Sequence, residues 1–287
     1  MKIVAVIVTF NRLELLKENI KKLLEQTYPL DKIYIIDNAS TDDTEEYCKE
    51  AAVENEKIIY RRLNENIGGA GGFSKGIQYA YEEGADYIWG MDDDAMPRKD
   101  ALNELVHGMK NFDDRKVCLR SNTYYIDDKG SFVLEQVTEH NQEMSGLTFV
   151  GFYISRNVVE KAGIPRDDLF IYFDEVDYSM SIQENGFKII GIRESVIEHP
   201  YIMSTINKKI LFKEIRLFQM PDWKKYYWMR NNLLVRKKRG RHFFKALILE
   251  IYDLIKTILF QRSQVKVACK GLWHGIIGKS GHEKGMP

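Results

Sequence analysis

Cysteine is scarce in this chain: three residues in 287, Cys48, Cys118 and Cys269, share no close spacing. A disulfide framework and a cysteine-based zinc site are both disfavoured, and the pattern suits a reducing cytoplasm. Long apolar runs are missing too. A membrane-spanning helix needs ~20 apolar residues, whereas the nearest stretch, Ala246 to Phe260, is interrupted by Glu250, Asp253 and Lys256. Met1-Lys2 leads directly into the short run Ile3 to Phe10 without a cleavage-like site, so no secretory leader is expected. Internal repeats and low-complexity tracts are absent. So is the spacing GxGxxG after the first strand, which disfavours a nicotinamide dehydrogenase.

Net charge is the last absence, because 42 Lys and Arg balance 42 Asp and Glu. The balance conceals a division. Residues from Lys224 onward carry 15 basic against 3 acidic residues, a surplus of +12 that the rest of the chain offsets. The densest part is Arg236-Lys237-Lys238-Arg239-Gly240-Arg241. In the apolar stretch that follows, Glu250, Asp253 and Thr257 share one helical face while leucine and isoleucine fill the rest. These features predict a basic, helical region at 222–287 that associates with an anionic membrane surface or a partner protein, after a larger domain at 1–221. The expected location is cytoplasmic, peripheral on the inner face of the cell membrane. Nucleic acid is not expected as a partner, and a homo-oligomer stays open.

What is present is a globular composition, 44% hydrophobic and 29% charged, with strand and helix patterns alternating through the first half. Strands are expected at Ile3 to Val8, Ile33 to Ile36, Lys57 to Arg61 and Asp86 to Met91. Helices are expected at Leu13 to Gln26, Thr44 to Ala52, Phe73 to Glu82 and Lys99 to Asn111. This rhythm predicts an α/β fold with a mainly parallel central sheet flanked by helices on both faces. Further strands are expected at Val117 to Tyr125, Phe132 to Val137, Thr148 to Ile154, Lys188 to Ile192 and Val196 to Glu198. A helix is expected at Asp174 to Glu184, and the last 65 residues read as mostly helical.

Chemistry concentrates where strands end. Asp92-Asp93-Asp94 follows the apolar run Tyr87-Ile88-Trp89. Three adjacent anions repel one another unless a cation joins them, and hard divalent ions commonly bridge carboxylates to phosphate oxygens. Asp37-Asn38 follows the second strand, placed to read a base edge or ribose hydroxyls, although such clusters also make turns. Gly68, Gly69, Gly71 and Gly72 precede the third helix, where close backbone approach and unpaired N–H groups suit phosphate or sugar oxygens. Asp174 and Glu175 open a helix behind an aromatic run, a setting in which a carboxylate can take a proton from an attacking hydroxyl. His199 ends a short strand and offers a third ligand to an Asp-Asp-His metal set.

In their order, Val8-Thr9-Phe10-Asn11-Arg12, Asp37-Asn38-Ala39-Ser40, Asn66 to Phe73, Met91 to Asp94, Phe173 to Asp177 and Tyr227-Trp228-Met229-Arg230-Asn231 resemble family 2 glycosyltransferases of the GT-A fold. The Gly-Gly-Ala-Gly-Gly-Phe and Asp-Asp-Asp forms look most like the galactofuranosyltransferase and rhamnosyltransferase branch that builds bacterial surface polysaccharides. The resemblance implies a GT-A catalytic domain over 1–221 that takes a nucleotide-sugar donor and a glycan or lipid-linked acceptor. It implies that Thr9, Asn11, Arg12, Asp37, Asn38, the four glycines, Asp92 and Asp93 line the donor pocket, and that Asp92, Asp94 and His199 hold Mn²⁺ or Mg²⁺. It further implies Glu175 as the inverting general base with Asp174 as its rival, and Trp89, Gly151 and Phe152 on the acceptor side, where core packing is the competing reading of the aromatics.

The donor expected from this spelling is UDP-galactofuranose, with dTDP-rhamnose as the alternative. A sugar-phosphate nucleotidyltransferase would need a glycine-rich, Lys/Arg-bearing loop after the first strand, where this chain has Thr9-Phe10-Asn11-Arg12. A non-catalytic membrane-associated scaffold is the rival from another class. Retention of the three aspartates, Glu175 and His199 argues against it.

Overall fold

The computed structural model describes residues 1–126, 132–200, 205–210, 213–240, 242–283 and 285–286. Arg241, part of the basic run, lies outside them. In chain order the elements are β1 (Ile3–Thr9), α1 (Leu13–Leu24), β2 (Lys32–Asp37), α2 (Thr44–Glu54), β3 (Ile58–Arg62), α3 (Gly68–Glu82), β4 (Tyr87–Asp92), β5 (Met96–Pro97), α4 (Ala101–Met109) and β6 (Val117–Ile126). They continue with β7 (Phe132–Glu135), β8 (Gln142–Glu143), β9 (Phe152–Ser155), α5 (Arg156–Ala162), α6 (Asp174–Glu184), β10 (Lys188–Pro200), β11 (Thr205–Ile210), β12 (Lys213–Phe218), α7 (Asp222–Lys238), α8 (Phe243–Phe260) and α9 (Val265–Ile277).

Contact density divides the chain into two compact units, Met1–Asp167 with Glu175–Tyr201, and Asp168–Asp174 with Ile202–Pro287. The second unit therefore starts earlier than the expected boundary at 222 and includes the short segment 168–174.

In the first unit the strand order is β3-β2-β1-β4-β9-β6-β10-β5. β1, β2, β3 and β4 are mutually parallel, as are β6 and β10. β9 runs antiparallel between β4 and β6, so the sheet is mixed. Apolar side chains fill both faces. Leu16 and Ile20 of α1, Cys48 of α2 and Leu102 and Leu105 of α4 cover one face. Phe73 and Ile77 of α3, Val158 of α5 and Tyr178 and Ile182 of α6 cover the other. Continuous burial along β1 is what a strand covered on both faces requires.

Several elements differ from the sequence expectation for local reasons. The glycine run does not precede α3; it forms its first turns. A Cβ on Gly72 would lie 2.4 Å from Val8 Cγ1, and one on Gly76 2.3 Å from Val6 Cγ1, so the missing side chains let α3 press onto β1. The strand expected over Thr148 to Ile154 is confined to β9, because Gly151 turns the chain through φ +87°. The two short strands at 188–192 and 196–198 are one strand, β10, with a register shift between Ile192 and Val196. The hairpin β11–β12 is an addition to the expected elements.

The second unit packs α7 against α9 and α8. Gly271 and Gly275 make the α7–α9 approach close, since Cβ atoms there would sit 2.5 Å from Tyr226 O and 2.9 Å from Arg230 O. In α8 the polar stripe faces inward: Glu250 and Thr257 are buried, and Glu250 accepts a 2.7 Å bond from Asn232. Lys225 of α7 pairs with Asp253.

Gly90 of β4 gives the clearest packing test. A Cβ there would lie 2.0 Å from Phe152 Cζ, inside a buried ring. Gly90→Ala is expected to cost about 1–3 kcal/mol, as overpacking does, read as a lower denaturation midpoint. Unchanged stability would contradict this packing.

Candidate active site

The carboxyl ends of β1, β2, β4 and β10 carry the polar residues singled out in the sequence. β1 lies between β2 and β4, so the chain leaves it in opposite directions. That switch point is where open α/β sheets form ligand crevices. Thr9 ends β1, Asp37 ends β2, Asp92 ends β4 and His199 lies near the end of β10.

Around the three aspartates the geometry is tight. Thr9 Oγ1 donates to Asp93 Oδ2 at 2.8 Å. Arg12 Nη1 donates to Asp93 Oδ1 at 3.2 Å and to Asp94 Oδ2 at 2.6 Å. His199 Nε2 lies 3.0 Å from Asp94 Oδ1, and its Nδ1 donates to Pro200 O at 2.9 Å, which aims Nε2 at the carboxylate. Asn19 of α1, fully buried, donates to the carbonyls of Ala95 and Asp92 and fixes the acidic turn from behind.

The electrostatics are those of a site short of positive charge. Burial and the charges of Asp94 and Asp93 push Asp92 up to about 8. Burial also pushes Asp93 up to about 6, outweighing Arg12 and Thr9. At Asp94 burial is overcome by His199 and Arg12, which hold it below the usual carboxylate range. Burial alone would lower His199, but its bond to Asp94 and the charges of Asp94 and Asp92 carry it above its ordinary value. Ligand atoms of Asp92, Asp94 and His199 lie within 4.8 Å of one another, a spacing that one divalent ion can bridge. Two carboxylates with an imidazole fit Mn²⁺ at least as well as the oxygen-preferring Mg²⁺.

Beside this cluster the ends of β1 and β2 are tied together. Asn11 and Ala39 adopt left-handed conformations, φ 54° and 61°. Asn11 N donates to Ser40 Oγ at 3.0 Å, and Asn11 Oδ1 accepts from Thr41 N at 2.7 Å. Asp37 is fully buried and accepts from Ser40 N at 2.8 Å and Tyr60 OH at 2.6 Å. Tyr60 was not anticipated; its signal, an aromatic in a strand, is too common to stand out. Asn38 donates to Gly68 O at 3.2 Å, joining β2 to the start of α3. At Gly69 nothing lies within 4 Å of a notional Cβ, while Gly71 and Gly72 are filled from behind by Ile67 and Val8.

Glu175 is half-buried in the first turn of α6, where its carbonyl accepts from Ser179 Oγ at 2.6 Å. Tyr125, another residue not anticipated, links it to the cluster. Its ring meets His199 edge-on at 5.7 Å, and after burial and Arg120 its hydroxyl responds to the charges of Asp92, Glu175 and Asp94. Trp89 and Phe152 are fully buried in the core on opposite faces of the sheet, so packing is their visible role. Gly151 is packed against Ile197 and Ser121.

Asp174 belongs to the second unit and is buried. Before it, Phe170, Tyr172 and Phe173 all have positive φ, 68°, 66° and 65°. Each such residue costs about 1–3 kcal/mol and persists only where its surroundings impose it.

A family model described as glycosyl transferase family 2 matches residues 4–170. Galactofuranosyltransferase GlfT1 of Mycolicibacterium smegmatis is 26% identical over 63% of this chain and 65% of that protein, so the match spans just under two thirds of that relative. The dTDP-rhamnosyl transferase RfbF of Shigella flexneri is 25% identical over 91% of this chain and 89% of its own. The crystal structure of GalNAc-T7 with UDP, GalNAc and Mn²⁺ shares the fold, with a TM-score of 0.58 at 16% identity over 70% of this chain and 44% of that one. The fold is GT-A.

The raised carboxyls give a pH test. Free aspartates titrate near ~3.9, whereas Asp92 holds its proton to about 8 and Asp93 to about 6 in the fold. The folded state then binds more protons than the unfolded chain between those limits, so metal-free stability falls as pH rises through that window. Mn²⁺ should therefore raise the melting temperature more at pH 8 than at pH 6. An equal shift at both would contradict these protonation states.

Proposed function

The chain belongs to glycosyl transferase family 2, and we propose that it transfers a sugar, with inversion, from a nucleotide-sugar to a hydroxyl of a glycan or lipid-linked acceptor in bacterial surface polysaccharide synthesis. The observation that carries this reading is the Asp92, Asp94 and His199 cluster at the switch point between β1 and β4. A donor diphosphate needs both a cation and oxygen-ligating carboxylates there. A bound Mn²⁺ or Mg²⁺ would supply charge stabilisation for the leaving diphosphate.

The chain's own residues do the rest. Arg12, already bonded to Asp93 and Asp94, keeps the turn compact and presents a positive charge beside it. Asp37 and Asn38 shape the floor for the nucleoside, and the opening of α3 offers backbone N–H groups toward anionic oxygens. Glu175 takes the proton from the attacking acceptor hydroxyl, with Asp174 as the alternative base. The proposed donor is UDP-galactofuranose, supported by the likeness to GlfT1. dTDP-rhamnose is the second reading, favoured by the likeness to RfbF over nearly the whole chain. Uracil and thymine offer the same hydrogen-bonding edge, so the carboxylates alone do not separate them.

Among the described residues no helix is long and apolar enough to cross a membrane. The proposed seat is the inner face of the cytoplasmic membrane, held by α8. Its polar stripe is buried, while Phe244, Ile248, Leu249, Tyr252, Ile255 and Leu259 are exposed. This inversion of the usual arrangement leaves the apolar face without cover among the described residues. Lys237, Lys238 and Lys245 stand near the helix start, and basic residues near anionic lipid contribute roughly 1 kcal/mol each.

Transfer assays with UDP-galactofuranose and dTDP-rhamnose, on wild type, Glu175→Gln and Asp174→Asn, test the chemistry. Wild type should transfer galactofuranose, and Glu175→Gln should bind UDP normally while losing about 10²- to 10⁴-fold in rate. Rhamnose transfer alone overturns the donor, and a silent Glu175→Gln beside a dead Asp174→Asn exchanges the roles.

Co-sedimentation with vesicles tests the surface. Binding should require anionic lipid, weaken in high salt and be lost in Ile255→Asp. Indifference to lipid charge would instead favour a protein partner for α8.

A further inference from the structure

The segment 168–173, which delivers the chain to α6, is held by an unusual concentration of buried polar groups within the second unit. Asn231 Nδ2 donates to the carbonyls of Leu169, Ile171 and Tyr172 at 2.8, 2.7 and 3.1 Å. Two amide hydrogens thus serve three acceptors, leaving none for anything else. Arg230 Nη2 donates to Leu169 O at 3.1 Å, its Nη1 to Gly281 O at 2.6 Å and its Nε to Asn231 Oδ1 at 2.8 Å. Both side chains are fully buried.

The C-terminal tail closes the other side. Gly281 N donates to Asp168 O at 2.7 Å. Phe170 lies between two stacked rings, Tyr227 at 4.8 Å and His282 at 4.7 Å. Trp228 meets Tyr172 and Phe173 edge-on at 5.5 and 5.3 Å.

Burying a helix against its neighbours needs only apolar side chains. Here an amide and one guanidinium nitrogen are instead spent on the carbonyls of one non-helical turn with three left-handed aromatic residues, and the rest of the guanidinium bonds Gly281 and Asn231. Such a turn would relax toward ordinary dihedrals if its carbonyls were released. The residues that follow it directly are Asp174 and Glu175.

We propose that Arg230 and Asn231, with the tail residues Gly281 and His282, are positioning residues: they hold the left-handed turn 170–173 and so set where the carboxylates of Asp174 and Glu175 emerge at the start of α6. The inference rests on the reading of those acids as the proton acceptors of transfer. Arg230, Asn231 and Gly281 act through the backbone before α6, and His282 acts through the ring of Phe170. Misplacement of a reacting group by about 1 Å can cost ~10²-fold in rate, so the effect belongs in kcat.

Asn231→Asp in the full chain is the decisive variant, because it keeps the shape and the oxygen that accepts from Arg230 Nε while removing the amide donors. Asn231→Ala serves as the second variant. Both should lower transfer kcat by about 10- to 100-fold, leave the UDP dissociation constant within about twofold, and speed hydrogen exchange of amides 169–174. Thermal melting should fall in both variants, because three carbonyls lose the buried amide that serves them, so retained UDP affinity is the readout that separates loss of the clamp from a general loss of structure. The proposal is overturned if kcat is unchanged, or if kcat, UDP affinity and melting temperature fall together as in a general loss of structure. A wild-type protein that transfers neither sugar refutes the transferase reading instead. In that case the exchange arm decides the clamp alone, and unchanged exchange at 169–174 overturns it.

Discussion

Three carboxylates on consecutive residues at a crowded strand end repel one another, and the first unit is arranged around that repulsion. Two unit charges about 4 Å apart at an effective dielectric near 20 interact by ~4 kcal/mol, comparable to a large share of a domain's net stability. Thr9, Arg12, His199 and the buried Asn19 each take one direction around Asp92, Asp93 and Asp94. They come from three elements: the end of β1, the N-cap and body of α1, and β10. The parallel order of β1, β2 and β4 puts the aspartates beside the buried Asp37, and the glycines of α3 bring that helix against the same edge. What the protein groups leave unbalanced is visible in Asp92, which holds its proton to about 8. A divalent cation and a diphosphate would complete that balance in opposite senses of charge, which is why, under the proposed function, the cluster and the donor act as one device.

The second unit turns the usual distribution of polarity around. Lys225, Asn232, Glu250 and Asp253 meet in its interior, and a row of large aliphatic and aromatic side chains stands outside on α8. The same unit carries Arg230 and Asn231: the Asn231 amide and one Arg230 nitrogen serve carbonyls within residues 169–172, and Arg230 Nη1 serves Gly281 O. Burial of unpaired polar groups is costly; the donors of Arg230 and Asn231 are matched, whereas Glu250 Oε2 has no hydrogen-bond partner among the described residues.

Much of this was legible in the sequence, and the divide follows locality. The βαβα order was readable because apolar runs such as Ile3 to Val8 and their polar ends are local patterns. The acidic cluster and His199 were readable because few side chains can do their chemistry. The antiparallel insertion of β9 was hidden, since a short aromatic strand carries no mark of its direction. The glycines of α3 were read as a loop before the helix because the reason for them, contact with Val8 and Val6, lies some sixty residues away in sequence. Periodicity located the polar stripe of α8 but not the side it faces, which depends on Lys225 and Asn232 in another helix. The bonds from Asn231 to residues 169–172 were likewise invisible, because carbonyl acceptors leave no trace in side-chain identity.

The central claim, that the carboxylates and His199 form one cation site serving a nucleotide diphosphate, is tested most directly by anomalous diffraction from crystals grown with Mn²⁺ and UDP. The account predicts one manganese peak ligated by Asp92, Asp94 and His199 Nε2 and touching the diphosphate, with the His199 to Asp94 contact replaced by metal bonds. A diphosphate bound there without a manganese peak, His199 still paired to Asp94, would contradict it.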